Sequence, residues 1–441
     1  MKPASRLVCA GCGAAPAADE PYPFRCPNAG TGDVDHVLTR VLDPAGVRFP
    51  QGRAGGDPFI RYRGLLHSYH RAIDGGMDDA EFTAMVERLD RAISAVDGRG
   101  FQATPFRRDD RLSALLGFAS DGGVWVKDET GNVAGSHKGR HLMGVLLHLE
   151  VVEQLGLVGA AERPDLAIAS CGNAALAAAV VARAGGRRLR VFVPPDADPA
   201  VVARLHELSA DVAVCVRRPG EAGDPCYAGL LEALAAGALP FTCQGTENGL
   251  VIEGGETLGY EIVSEIAGEG LDHLVVQVGG GALASACVQA FGEATALGVL
   301  ASSPRIHTVQ TTGAHPLERA YHRVTEHVGA VGLDRALRDA TTHRSAYMWP
   351  WESEPKSIAH GILDDETYDW RAVVAGMLTT DGCPRVVSEE RLAEANELGR
   401  ASGFDVDPTG SAGLAGLLDL RADGVIGADQ RAAVLFTGVR R

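Results

Sequence analysis

Residues 127–141 read KDETGNVAGSHKGRH, and the reading of this stretch decides the fold. The overlapping segment GGVWVKDE (122–129) alternates like a strand, whereas HKGRHLMGVLLHLEVVEQLG (137–156) carries a helical run of apolar residues. A strand therefore passes through a glycine-containing loop into a helix that begins around Lys138. In parallel α/β sheets, ligands collect outside the carboxyl ends of strands, where such turns lie. A lysine at a helix start meets the positive end of the helix dipole, which disfavours its protonated form. Taken alone, the same pattern also fits a solvated helix lysine.

Lysine is rare here. It occurs only at positions 2, 127, 138 and 356, and arginine supplies the rest of the 41 basic residues. Only a primary amine can form a Schiff base, so each retained lysine is a candidate for that chemistry, with chance as the plain alternative.

Outward from this stretch the chain keeps an α/β rhythm. DLAIAS, RLRVFVPP, DVAVCV, HLVVQVG, RIHTVQT and AAVLFTG read as strands, and helical stretches such as NAALAAAVVARAGG, PAVVARLHELSA and EGGETLGYEIVSEIAG lie between them. Near-continuous apolar strands separated by helices predict parallel sheets covered on both faces. Residues 54–96 are helical in pattern, and 312–386 is irregular and tryptophan-bearing, with no parse.

Three more strand ends carry polar or glycine-rich turns. In ASCGNAALA (169–177), backbone amides at a helix start suit a carboxylate-sized anion, and Asn173 can donate to a phenolic oxygen; Ser170 or Asn173 can equally be a plain helix cap. In VQVGGGALAS (276–285), three consecutive glycines let the backbone wrap a phosphate, although a tight strand–helix connection needs the same residues. AAVLFTGVR (432–440) ends a strand in Thr437 and Gly438, where a hydroxyl can face a ring nitrogen or merely cap the strand. An amine, a carboxylate cradle, a phosphate cradle and a ring-nitrogen partner in one chain are what pyridoxal phosphate and an amino acid jointly need.

The set resembles fold-type II pyridoxal-phosphate enzymes, the tryptophan synthase β superfamily, and within it threonine synthases and serine/threonine dehydratases. The likeness runs in order over roughly residues 55–440. It implies two parallel-sheet, three-layer α/β domains. It implies that Lys138 is the catalytic Schiff-base lysine, with His137 beside it supporting the phosphate or the lysine's approach. Asn173 would contact the phenolic oxygen, while Ser170, Cys171 and Gly172 would join it in holding the substrate carboxylate. Gly279, Gly280, Gly281, Ala282 and Leu283 would form the phosphate loop. Thr437 would face the pyridine nitrogen, and Ser411, in DPTGSAGLAGL (407–417), would lie near the same site. TPF (104–106) and EGGETLGYEI (253–262) also stand at expected family positions.

The departures bear on the reaction. His137 is similar to the His-Lys pair of tryptophan synthase β chains, but SCGNAALA replaces their acidic, glutamine- and histidine-containing segment, which argues against indole chemistry. The alanines after Asn173 look more like threonine synthase than dehydratase. The resemblance thus implies a threonine-synthase-like lyase that removes an α-proton and then eliminates or replaces a β or γ substituent. A serine/threonine dehydratase is the alternative within the fold, and a catalytically silent binding or regulatory protein the alternative outside catalysis.

Composition narrows the partners. The 441 residues exceed one comfortable core, and the expected division is 1–36 as a cysteine-containing segment, 37–140 with 256–441 as the large cofactor-binding domain, and 141–255 as the smaller one. A net charge of −16 argues against nucleic acid and anionic membranes and for a small-molecule substrate, here an amino acid. No signal pattern or membrane-length apolar run is visible, so a cytoplasmic location is expected; the expected assembly is a homodimer. In the leader, Cys9-x2-Cys12-Gly forms a knuckle that Cys26 and His36 could complete for zinc; the expected second CxxC is broken at CPNAG. Some threonine synthases carry a cysteine knuckle here, so a degenerate relic is the other reading.

Overall fold

A computed structural model describes residues 3–159, 163–217 and 224–441. In chain order the strands are β1 (Ser5–Cys9), β2 (Leu38–Leu42), β3 (Phe106–Asp109), β4 (Gly123–Asp128), β5 (Leu166–Ala169), β6 (Leu189–Val193), β7 (Asp211–Val214), β8 (Leu239–Pro240), β9 (His273–Gln277), β10 (Arg305–Thr311), β11 (Pro384–Val387) and β12 (Arg431–Phe436). The larger sheet has the order β11-β10-β9-β12-β4-β3 and the smaller one β7-β6-β5-β8, while β1 and β2 form a separate antiparallel ribbon. All pairs of the two main sheets are parallel except β3–β4.

The strands β4, β5, β6, β9, β10 and β12 are largely buried on both faces, whereas the edge strands β3, β7 and β11 are partly exposed. Along β9 and β12, Leu274, Val276, Ala433 and Leu435 enter one core with the helices Val251–Ile266 and Ala282–Ala296. The alternate residues Val275, Ala432 and Val434 enter a second core with the helix Ala412–Ala422. The smaller sheet repeats the arrangement: Leu166 and Ile168 face the helices Lys138–Gln154 and Asn173–Ala184, and Ala167 faces Pro225–Ala235. This is the α/β architecture that the resemblance implies, with β3 as an antiparallel edge strand.

The order of strands assembles the site. β9, β12 and β4 are adjacent and parallel, so the turns after Gln277, Phe436 and Asp128 all open at one edge. The helix Lys138–Gln154 crosses the expected boundary at 140/141 and packs on both the helix Asn173–Ala184 and the helix Val251–Ile266. Glycines make that second contact close: a Cβ on Gly254 would stand 2.1 Å from the Arg140 carbonyl oxygen, and one on Gly144 would stand 2.8 Å from the Gly254 Cα.

Two regions differ from the sequence expectation. The leader contains a strand, because Ser5–Cys9 pairs with Leu38–Leu42 through contacts some thirty residues apart that no local period reveals. The stretch 312–386 contains the helices Pro316–Val331, Leu333–Thr342 and Trp370–Thr379, followed by the start of β11. Among the described residues, no helix is long and apolar enough to cross a membrane.

Candidate active site

Lys138 opens its helix directly after a tight turn, Val133–Gly135, in which Ala134 (φ +54) and Gly135 (φ +66) are left-handed. That turn is tied to the end of β12. The His137 amide and its Nδ1 both donate to the Thr437 carbonyl oxygen at 3.2 Å, and the Val439 amide donates to the Gly135 oxygen at 2.9 Å. Burial, and next the nearby Lys138, hold the His137 imidazole well below its ordinary pKa, so it is neutral.

The four lysines separate clearly. Lys127 is fully buried, with its Nζ bonded to the Glu261 carboxylate and to the Thr104 carbonyl oxygen at 2.8 Å. Lys356 is exposed beside Glu354, and Lys2 lies outside the described residues. Lys138 makes no hydrogen bond or ion pair among the described residues, and its charge acts on His137, His141, Cys243, Asp364 and Asp369.

The start of the Lys138 helix is clamped from behind. Arg140, two residues on, bonds Glu129 through Nε at 2.8 Å and Nη2 at 3.0 Å, and Glu261 through Nη1 at 2.7 Å and Nη2 at 3.1 Å. With Lys127 these groups form a neutral buried tetrad joining β4, its following turn, the Lys138 helix and the helix Val251–Ile266. Burial would raise the Glu129 carboxyl, but Arg140 and Lys127 outweigh it and hold it at about 2.

At the end of β12, the Thr437 hydroxyl accepts a hydrogen bond of 2.8 Å from Gln277 Nε2, which also reaches the Gly410 and Leu435 carbonyl oxygens. Its own proton is left to give. The Ser411 hydroxyl is spent differently: it donates to the Asp407 oxygen at 3.0 Å and accepts from Asn396 Nδ2 at 3.0 Å. Thr437 rather than Ser411 therefore offers a donor at this edge.

Asn173 begins the helix Asn173–Ala184. Its Oδ1 accepts from Arg441 Nη2 at 3.0 Å and Nε at 3.2 Å, while the same Arg441 Nη2 donates to the Ala134 oxygen at 2.6 Å. The Nδ2 amide stands where a Cβ on Gly438 would touch it at 2.7 Å, turned towards the end of β12. Ser170 and Cys171 are half-buried, with the Gly172 amide 3.5 Å from Ser170 Oγ.

The glycine loop is covered by an irregular segment that the sequence did not flag. A Cβ on Gly279 would stand 2.2 Å from Asp364 Oδ2, one on Gly280 2.8 Å from Tyr368 Cδ2, and one on Gly281 2.9 Å from Thr367 Cγ2. Thr367 Oγ1 donates to the Gly279 oxygen at 2.9 Å, and the Asp369 amide donates to the Gly280 oxygen at 3.1 Å. Gly281 has φ +98 and caps the helix that starts at Ala282, with Ala282 and Leu283 buried behind it. Burial pushes the Asp364 carboxyl up to about 6, against the pull of Lys138 and the Gly280 N–H. The Asp364 carboxyl thus packs directly against the loop.

These features fit pyridoxal phosphate: an uncommitted amine, a hydroxyl with a proton to give, a free amide at Asn173, and a glycine loop. Sequence reasoning missed His141, whose Nδ1 donates to the Val251 oxygen at 2.8 Å while its buried Nε2 has no hydrogen-bond partner among the described residues. It also missed Asp364 and Arg441, which belong to no motif, and Gln277, which lies in VQVGGGALAS (276–285) but was given no role there.

Comparison with known proteins agrees with this fit. Residues 99–438 match the family described as pyridoxal-phosphate dependent enzymes, and the chain belongs to that family, with pyridoxal phosphate as its cofactor. Its relatives include the threonine synthase of Methanocaldococcus jannaschii, 24% identical over 336 residues that make up 76% of this chain and 74% of the relative. The threonine synthase of Methanosarcina acetivorans is 26% identical over 337 residues, again 76% of this chain and 74% of the relative. Among solved structures, threonine deaminase isoform 2 from Solanum lycopersicum superposes with a TM-score of 0.58 at 16% identity, covering 83% of this chain and 91% of that one. Maize serine racemase gives 0.58 at 17% identity, covering 81% and 93%. At these identities the structural likenesses establish the fold. The chain is thus a pyridoxal-phosphate-dependent enzyme that is similar in sequence to threonine synthases.

Proposed function

We propose that this enzyme removes the α-proton of an amino acid with the Lys138 amine and then eliminates or replaces a β or γ substituent. The observation that carries the reading is the uncommitted Lys138 amine, held by the bonds between His137 and Thr437 beside a strand-end hydroxyl. Bound pyridoxal phosphate supplies the electron sink for that chemistry. Lys138 holds the cofactor at rest and moves the proton once freed. Thr437 would donate a hydrogen bond from its hydroxyl to the ring nitrogen, while Gln277 occupies the acceptor side of that hydroxyl. A neutral donor leaves the nitrogen unprotonated, which suits expulsion of a leaving group over transamination. Asn173 Nδ2 donates to the phenolic oxygen, with Arg441 fixing its orientation. Residues Ser170–Asn173 bind the substrate carboxylate, and Gly279–Leu283 bind the phosphate with Asp364 displaced. Ser411 acts from behind, at the start of the helix Ala412–Ala422, with its hydroxyl bonded to Asp407 and Asn396.

One observation favours the serine/threonine dehydratase alternative. Asp196 and Asp224 act on Cys171, and Asp224 also acts on Asp364, so the surroundings of the substrate loop are acidic. An acidic cleft favours a neutral or cationic leaving group over a phosphate ester. The division into 37–140 with 256–441 and 141–255 belongs to the same proposal, supported by one main sheet in each part. A homodimer is part of the same proposal, as is a cytoplasmic location, which the free thiols support.

The test is to incubate the cofactor-loaded enzyme with single amino acids in deuterated water, following α-proton exchange and products. Exchange with a hydroxy amino acid as product of replacement supports the synthase reading, and oxo acid with ammonia supports the dehydratase. Bound cofactor with no exchange from any amino acid would leave a silent binding protein.

A further inference from the structure

The N-terminal ribbon holds a second site, away from the amine. Ligand atoms of Cys9, Cys12, Cys26 and His36 all lie within 4.8 Å of one another. Cys12 Sγ and Cys26 Sγ are 3.5 Å apart, unbonded, and Cys9 Sγ is 3.6 Å from His36 Nδ1. Around a tetrahedral zinc, with bonds of about 2.3 Å to sulfur and about 2.05 Å to nitrogen, two sulfurs stand about 3.7 Å apart and a sulfur and a nitrogen about 3.6 Å apart. The spacing is therefore that of a closed site.

Two further observations are independent of these distances. His36 Nε2 stands 3.1 Å from the Thr31 carbonyl oxygen, which can only accept, so Nε2 carries the proton and Nδ1 presents its lone pair to the cysteines. Amides also point at the sulfurs: Cys12 N at 3.4 Å from Cys9 Sγ, Asn28 N at 3.3 Å from Cys26 Sγ, and Asn28 Nδ2 at 3.5 Å from Cys12 Sγ. Such donors stabilise thiolates, and soft thiolates with one imidazole select zinc.

The residue next to His36 leads to the cofactor loop. Asp35 accepts from Trp370 Nε1 at 3.2 Å and pairs with Arg344 at 3.4 Å, while its amide donates to the Thr341 oxygen at 2.8 Å. Trp370 is fully buried and directly follows the segment whose Thr367 and Asp369 bond Gly279 and Gly280. We propose that Cys9, Cys12, Cys26 and His36 bind one structural zinc ion, and that this ion braces the wall of the glycine loop through Asp35 and Trp370. The bracing half rests on the cofactor reading above, whereas the metal half does not.

The full-length protein is purified without chelator, its metal content is measured, and the stripped, reduced protein is titrated with Zn²⁺ and Co²⁺ alone. The expected result is about one zinc per chain and, with Co²⁺, the intense visible absorption of a tetrahedral thiolate site. His36→Ala should lose about tenfold or more in zinc affinity and His36→Cys should retain it. Uptake of neither ion by reduced wild-type protein, with a Cys12–Cys26 disulfide before reduction, would overturn the metal site, and this measurement needs no variant to fold. Stripping zinc should also speed loss of pyridoxal phosphate on dialysis, reversed by adding zinc back. Stoichiometric zinc whose removal leaves cofactor retention unchanged would overturn the bracing.

Discussion

Gln277 donates its side-chain amide to the Thr437 hydroxyl at 2.8 Å, and this fixes the direction in which the hydroxyl can act. With its acceptor side occupied, Thr437 is a donor, which matches an unprotonated ring nitrogen. Thr437→Val should keep the fold and most of the cofactor but lower kcat by about tenfold to a hundredfold, the 1–3 kcal/mol cost of an unmade buried hydrogen bond. Thr437→Ser should retain activity, and steady-state kinetics on the two variants checks this.

In the proposed function Asp364 competes with the cofactor phosphate for the glycine loop, because its carboxyl lies against Gly279. Burial raises its carboxyl to about 6, so the folded protein keeps this proton below that pH and loses it above. Ionised Asp364 repels a phosphate dianion, so Asp364→Asn should bind pyridoxal phosphate roughly tenfold or more tighter at about pH 8, with the two proteins converging near pH 5. Fluorescence titration across pH measures this, and the wild-type comparison removes the phosphate's own titration. The same raised pKa makes the cofactor-free protein lose stability as pH rises through about 6.

Arg140 balances Glu129 and Glu261 in a site closed to water. Arg140→Met leaves two carboxylates facing Lys127 alone, and should cost about 3–5 kcal/mol of unfolding free energy. Denaturant unfolding checks the figure. The tetrad also positions the first turn of the Lys138 helix, so the folded fraction should hold cofactor less tightly than wild type.

Arg441 bonds both Asn173 and the Ala134 carbonyl oxygen, linking the two sides of the cleft. Arg441→Ala frees the Asn173 amide to rotate. A shift in the cofactor's visible band is expected, with a rise in KM larger than the fall in kcat. Unchanged spectra and KM would remove Arg441 from the site.

The elements visible in the sequence are those whose pattern is local. β5, β6, β9, β10 and β12 are near-continuous apolar runs because both faces of their sheets are covered, β4 shows the alternation of a strand, and four turns at the ends of β4, β5, β9 and β12 carry Lys138, Asn173, the expected glycines and Thr437. β1 and β2 were hidden because each gains its structure from the other, and β8 is only two residues long. Asp364 had no signal: it lies in an irregular segment shaped by contact with glycines more than eighty residues earlier in the chain. Ser411 matched its motif, yet the structure commits its hydroxyl to Asp407 and Asn396.

The most direct test of the central claim is borohydride reduction of the cofactor-loaded protein, followed by mass mapping of the modified lysine. The visible band should disappear on reduction, with the phosphopyridoxyl group on the peptide containing Lys138 and no visible band in Lys138→Ala. Label on Lys127, Lys356 or Lys2 instead, or a protein that never acquires the band with added pyridoxal phosphate, would contradict it.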